Sequence, residues 1–76
     1  MSKTDLELII KTISKHIKVD EKDINLESKA SDFYQWDSLS QVNIILEIEK
    51  KMNIEISASK MGELTSVESI LNYINS

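Results

Sequence analysis

The chain has 76 residues, with 13 acids against 9 basic residues, one histidine, one glycine, and neither cysteine nor proline. That length holds one small domain, residues 1–76, whose core needs most of the large apolar side chains. The composition excludes disulfides, cysteine-based metal sites and histidine-rich metal centres, and it favours helices.

The first predicted helix runs from about Asp5 to about Lys18, with Leu6, Ile9, Ile10, Ile13 and Ile17 in one stripe. Thr4 and Glu7 have capping-box spacing at its start, and Lys15, His16 and Lys18 suit the negative end of its dipole. The sequence names no partner for His16, which reads as an ordinary helix residue. A long connection follows, to Trp36, in which Val19, Ile24, Leu26, Phe33 and Trp36 are expected to pin the chain to the helices. Between Asp20 and Asp37, six acids meet only Lys22 and Lys29. An acidic chain is a poor binder of nucleic acid and a better match for basic protein surfaces.

The second helix is predicted from about Ser38 to about Met52, capped by Asp37 or Ser38, with Lys50-Lys51 a solvated C-terminal end. The following IEIS alternates like a strand, but it has no partner and reads as an extended connector. A short helical turn is expected around Ser59 to Glu63, ending near Gly62. A last helix from about Ser66 to Ile74 carries Val67, Ile70, Leu71 and Ile74, with Thr65 and Glu68 as its capping box. The fold class is all-α: a small four-helix bundle of three main helices and one short helix, with a long loop between helices 1 and 2. No apolar run reaches the roughly 20 residues of a membrane span, and the amino-terminal residues lack a signal-peptide pattern. The expectation is a cytoplasmic monomer without membrane insertion.

The second helix has two apolar faces. On a wheel of about 100° per residue starting at Leu39, Ile44, Ile45, Ile48 and Met52 fall between about 140° and 240°. Leu39, Val42 and Leu46 fall between about 300° and 360°, and Ser38 and Glu49 project between the groups. A bundle of this size either buries both groups or leaves the second as a docking surface beside Ser38, at the i, i+3, i+7 spacing of helix-in-groove recognition. Ser38 is not read as a nucleophile: the chain has one histidine, on another helix, and no G-x-S-x-G elbow. No catalytic residue and no metal site is expected.

Asp37-Ser38-Leu39, followed by QVNIILEIEKKMNIEI and the terminal LTSVESILNYI, resembles the acyl and peptidyl carrier proteins over almost the whole length. The resemblance implies that Ser38 carries 4′-phosphopantetheine, transferred from coenzyme A by a separate phosphopantetheinyl transferase with magnesium. It implies that Asp37 matches the family's aspartate that helps the transferase engage metal and substrate. The arm's thiol would hold an acyl or aminoacyl group as a thioester, for delivery from a loading enzyme to a downstream synthase or transferase. The carrier itself would catalyse nothing. Leu39, Val42, Leu46, Glu47 and Glu49 are the expected partner-docking residues.

The chain departs from the Gly-Ala-Asp-Ser-Leu pattern of fatty-acid carriers, with Gln35 and Trp36 before the aspartate. Ser40, Asn43 and Lys50 stand where acids usually follow along the helix. These departures point to a stand-alone carrier of a dedicated pathway, such as polyketide, nonribosomal peptide, lipid or cell-surface glycan assembly. An aminoacyl carrier, of the D-alanyl or peptidyl type, is the nearest alternative. An unmodified helical adaptor docking through the second helix is the alternative from another class. Phe33 and Trp36 are expected to anchor the loop, with Tyr34 at or near the surface. Ile54, Ile56, Met61 and Leu64 either line a cargo cavity or close the core.

Overall fold

The computed structural model describes residues 3–75. Its four helices are α1 (Lys3–Ile17), α2 (Ser38–Met52), α3 (Ala58–Met61) and α4 (Val67–Ile74). Single turns of 3₁₀ helix at Glu21–Asp23 and Ala30–Asp32 shape the connection between α1 and α2. Among the described residues there is no strand, only one antiparallel bridge between Lys29 and Ser66. The fold is the expected small all-α bundle.

Burial follows the helical stripes. Ile9, Ile13 and Ile17 of α1 meet Ile44, Ile45 and Ile48 of α2 and Val67, Ile70 and Leu71 of α4, all of them buried. Each such side chain contributes roughly 1.5–3 kcal/mol by leaving water, so this small set supplies most of the drive to fold. Ile24 and Trp36 from the long loop, with Ile56 and Leu64 flanking α3, close the ends of the core. Val19, Leu26 and Phe33 pack against it half-buried, so the apolar residues of the loop do pin it down.

The helix ends differ from the expected ones in instructive ways. Thr4 lies inside α1 and is not its cap. The cap of α4 is Ser66, one residue later than expected: its Oγ accepts the Ser69 N–H, and the Ser69 Oγ accepts the Ser66 N–H, each at 3.1 Å. The loop causes this shift. The Ala30 N–H donates to the Thr65 carbonyl at 2.7 Å and the Val67 N–H to the Ser28 carbonyl at 3.0 Å. Thr65 is thereby drawn into an extended pairing, and the helix begins only after Ser66. Likewise α3 begins one residue early, at Ala58, because the Ser57 Oγ caps the Lys60 N–H. At the far end of α2, Asn53 takes the left-handed conformation (φ 56°), which asparagine tolerates well at a helix C-terminus.

Candidate functional site

Ser38 is the first residue of α2 and is exposed. The cap before it is Asp37, in an extended conformation with φ −94°. Its Oδ1 accepts the Ser40 N–H at 2.9 Å, and its carbonyl accepts the Gln41 N–H at 2.8 Å. The sequence leaves the cap open between Asp37 and Ser38; the structure gives it to Asp37, so the Ser38 hydroxyl is not drawn into capping. Hydrogen bonding from the Ser40 backbone is the largest influence on the Asp37 carboxyl and holds it below the ordinary value. A full negative charge therefore sits next to Ser38 at neutral pH.

The loop before the site is tied down locally. The Ser40 Oγ donates to the Gln35 carbonyl at 2.9 Å, and the Trp36 N–H donates to the Phe33 carbonyl at 3.1 Å. Trp36 turns into the core, only 4% exposed, and so a bulky residue at this position does not crowd Ser38. Tyr34, by contrast, is 91% exposed.

Behind Ser38 lies a residue that reading the sequence missed. Gln41 is buried, and its amide joins three segments. Its Oε1 accepts the Trp36 Nε1–H at 2.6 Å, and its Nε2 donates to the carbonyls of Met61 at 2.8 Å and Leu64 at 2.7 Å. The signal was available: at about 200° on the helix wheel, Gln41 falls in the middle of the isoleucine arc, where a polar side chain needs internal partners. Beside it, a cleft of about 530 Å³ opens between the start of α2 and α3. Ser38, Asp37, Trp36, Gln41, Val42 and Met61 contribute to its walls, and no basic residue does. Of the four residues considered for a cargo cavity, Met61 lines this cleft, Ile56 and Leu64 are buried in the core, and Ile54 packs against it.

The second apolar face of α2 is exposed: Leu39 at 71%, Leu46 at 50% and Val42 at 40%. Glu47 and Glu49, the other two residues expected at docking, have partners within the fold. The Glu47 Oε1 receives the His16 Nε2–H at 2.8 Å and the Lys15 Nζ at 3.2 Å. Lys51 Nζ lies 3.0 Å from Oε2, an ion-pair contact without hydrogen-bond alignment. The Glu49 Oε2 accepts the Ile56 N–H at 2.7 Å and so fixes the connector after α2. His16 is also placed far from Ser38. Its partner Glu47 sits nine residues along α2, roughly 13 Å down the helix axis. His16 is therefore out of reach of the serine as a base.

The surroundings of Ser38 fit a phosphodiester-linked arm. A phosphate on the first residue of a 15-residue helix would meet the positive end of the dipole, and the adjoining cleft would give an arm a partly apolar bed. The profile of the phosphopantetheine attachment site family matches residues 7–74. The acyl carrier protein of Campylobacter lari is 33% identical over 64 residues, covering 84% of this chain and 83% of the relative. That of Campylobacter concisus is 32% identical over 62 residues, covering 82% and 80%. The chain belongs to the acyl carrier protein family, whose prosthetic group is covalently attached 4′-phosphopantetheine.

Proposed function

We propose that residues 1–76 act as one carrier unit in which Ser38 receives 4′-phosphopantetheine. The observation that carries this reading is an exposed serine heading α2, left out of capping by Asp37 and bordered by the cleft. The bound group supplies a terminal thiol that holds an acyl or aminoacyl cargo as a thioester, so the chain needs no cysteine of its own. Asp37 keeps its charge beside Ser38 and offers a contact for the magnesium that the transferase brings. Leu39, Val42 and Leu46 form the apolar docking row for the transferase, the loading enzyme and the downstream synthase or transferase.

Glu47 and Glu49 are already engaged within the fold, and their part in docking is to hold α2 in place against α1 and the α3 connector. With Ser40, Asn43 and Lys50 elsewhere on the helix, the docking face is weakly acidic. That favours partners with apolar rather than strongly basic docking sites, and hence a dedicated pathway over the general fatty-acid machinery. The carrier works as a monomer, because tethered delivery needs one docked partner at a time. No described helix is long and apolar enough to cross a membrane. Loading draws on coenzyme A, which assigns it to the cytoplasm.

The test is the intact mass before and after incubation with coenzyme A, magnesium and a phosphopantetheinyl transferase of broad specificity, beside Ser38→Ala. The native chain gains one phosphopantetheine and the variant gains none. A folded native chain that gains nothing from a panel of transferases, or a Ser38→Ala chain that still gains mass, overturns the assignment.

A further inference from the structure

We infer that Gln41 restricts the cargo to short groups borne in the open cleft, because its amide closes the route from that cleft to the isoleucine core. The inference rests on Ser38 being the attachment point.

Trp36, Gln41 and Met61 are among the walls of the cleft. Ile44, Ile45, Ile48 and Ile70, the buried side chains that an alkyl chain would seek, lie outside them. Residues of α2 and of the 58–64 segment face each other across the cleft, so the seam between them is a direct route to the core. That seam is the one Gln41 sews. Its Nε2 holds the carbonyls of Met61 and Leu64, which follow the short helix α3, and its Oε1 holds the indole N–H of Trp36 from the opposite side. Both amide hydrogens and the amide oxygen are used, and the indole has no second donor.

Parting the seam to admit hydrocarbon leaves the indole N–H, both carbonyls and the Gln41 amide without partners. A methylene chain returns none of those hydrogen bonds, so its burial is opposed by several desolvated polar groups at once. Met61 has a side chain flexible enough to move aside, but its backbone carbonyl is anchored. The cleft itself is open and keeps polar groups at its rim, among them Asp37, Ser38 and Thr65. A short acyl or aminoacyl group rests there without entering the core. A long saturated chain finds no buried berth.

The test loads Ser38 with butyryl-, octanoyl- and dodecanoyl-phosphopantetheine from the matching acyl coenzyme A by the transferase, which releases adenosine 3′,5′-bisphosphate, with intact mass confirming each species. Melting temperature and hydroxylamine cleavage of the thioester are then followed along the series. A ligand that binds only the native state stabilises it, so an unburied chain leaves the melting temperature within about 1 °C across the series. Cleavage rates then stay within about twofold of one another, since the thioester remains open to solvent in every species. Gln41→Leu, and Gln41→Met should the first variant not fold, opens the seam to hydrocarbon. There the melting temperature climbs with chain length, and amide exchange at Ile44 and Ile48 slows.

A climb with chain length in the native protein overturns the inference. A flat series in a folded Gln41 variant overturns the role of Gln41. Failure to load Ser38 is separately visible by mass, and it removes the carrier assignment itself.

Discussion

The imidazole Nε2 of His16 and the Oε1 of Glu47 meet at 2.8 Å across 31 positions of sequence, tying the end of α1 to the middle of α2. A carboxylate only accepts, so the ring presents its proton at Nε2. Lys15 and Lys51 add their ammonium groups to the same carboxylate. Burial pushes the Glu47 carboxyl up, but the contacts from Lys51, His16 and Lys15 outweigh it and hold it at about 2, against an ordinary 4.5.

The sign of the pH dependence follows from that depression. The carboxylate contributes its full stability above its unfolded value near 4.5 and loses it as pH falls through about 2. Glu47→Gln lowers stability at neutral pH by about 1–2 kcal/mol, as expected for a partly buried group with several cationic partners. The gap to the native protein closes as the pH drops from about 4.5 towards 2. Urea titrations at neutral and acid pH check this, and a gap independent of pH would sink it.

Gln41 and Trp36, five positions apart, form a second tie that joins the long loop to α2, and their contributions separate by chemistry. Trp36→Phe keeps a ring in the core but removes the indole donor, leaving the Gln41 Oε1 unpaired. The expected cost is about 1–3 kcal/mol. Gln41→Ala also orphans the carbonyls of Met61 and Leu64 and opens a cavity, so it costs more. The double variant is less destabilised than the sum of the two, because both remove one shared hydrogen bond. Strict additivity in equilibrium unfolding would mean that the bond contributes nothing.

These two ties mark the boundary of what the sequence disclosed. The helical stripes of α1, α2 and α4 were legible because burial imposes one period on one element, as Ile44, Ile45 and Ile48 illustrate. The bounds of α2 were legible because Asp37 and Asn53 have strong local preferences at helix ends. The α4 cap was displaced by a tertiary event, the pairing of residues 28–30 with 65–67, which no local pattern encodes. Thr65 and Glu68 had the right spacing but lost to that pairing. The partner of His16 was equally hidden, because it lies on another helix. Around the candidate site, Ser38, Asp37 and the exposed Leu39 could be read from motif and wheel. Gln41 could not be interpreted until the carbonyls of Met61 and Leu64 were seen to converge on it.

Asp37 has two separable roles, as a cap and as a charge. Asp37→Ala removes the side chain that accepts the Ser40 N–H and lowers stability, as loss of an N-cap does. Asp37→Asn retains an accepting oxygen, so at neutral pH it folds nearly as stably as the native chain, because asparagine caps about as well as aspartate. It also loses one source of acid sensitivity. The native cap contributes fully above the ordinary carboxylate value and is lost as pH falls through the depressed one, whereas asparagine does not titrate. If the charge serves the transferase, Asp37→Asn loads phosphopantetheine more slowly despite its stability. Loading at the native rate would reduce Asp37 to a helix cap.

The apolar row on α2 makes the opposite prediction, a change in binding without a change in fold. Leu46 is half exposed and outside the buried core, so Leu46→Ala alters stability by no more than about 0.5 kcal/mol. If Leu39, Val42 and Leu46 dock the transferase and the loading enzyme, the same truncation removes part of a desolvated apolar anchor. A loss of about 1–2 kcal/mol in association corresponds to roughly a 5- to 30-fold rise in the KM for the carrier, with kcat little changed. Leu46→Asp strengthens the effect, because docking then buries an unpaired charge. Val42 lines the cleft as well as the row, so Val42→Ala is the less clean probe. Steady-state loading with the carrier as the varied substrate decides the matter. A Leu46→Asp protein that folds and loads with the native KM would move the docking surface off α2.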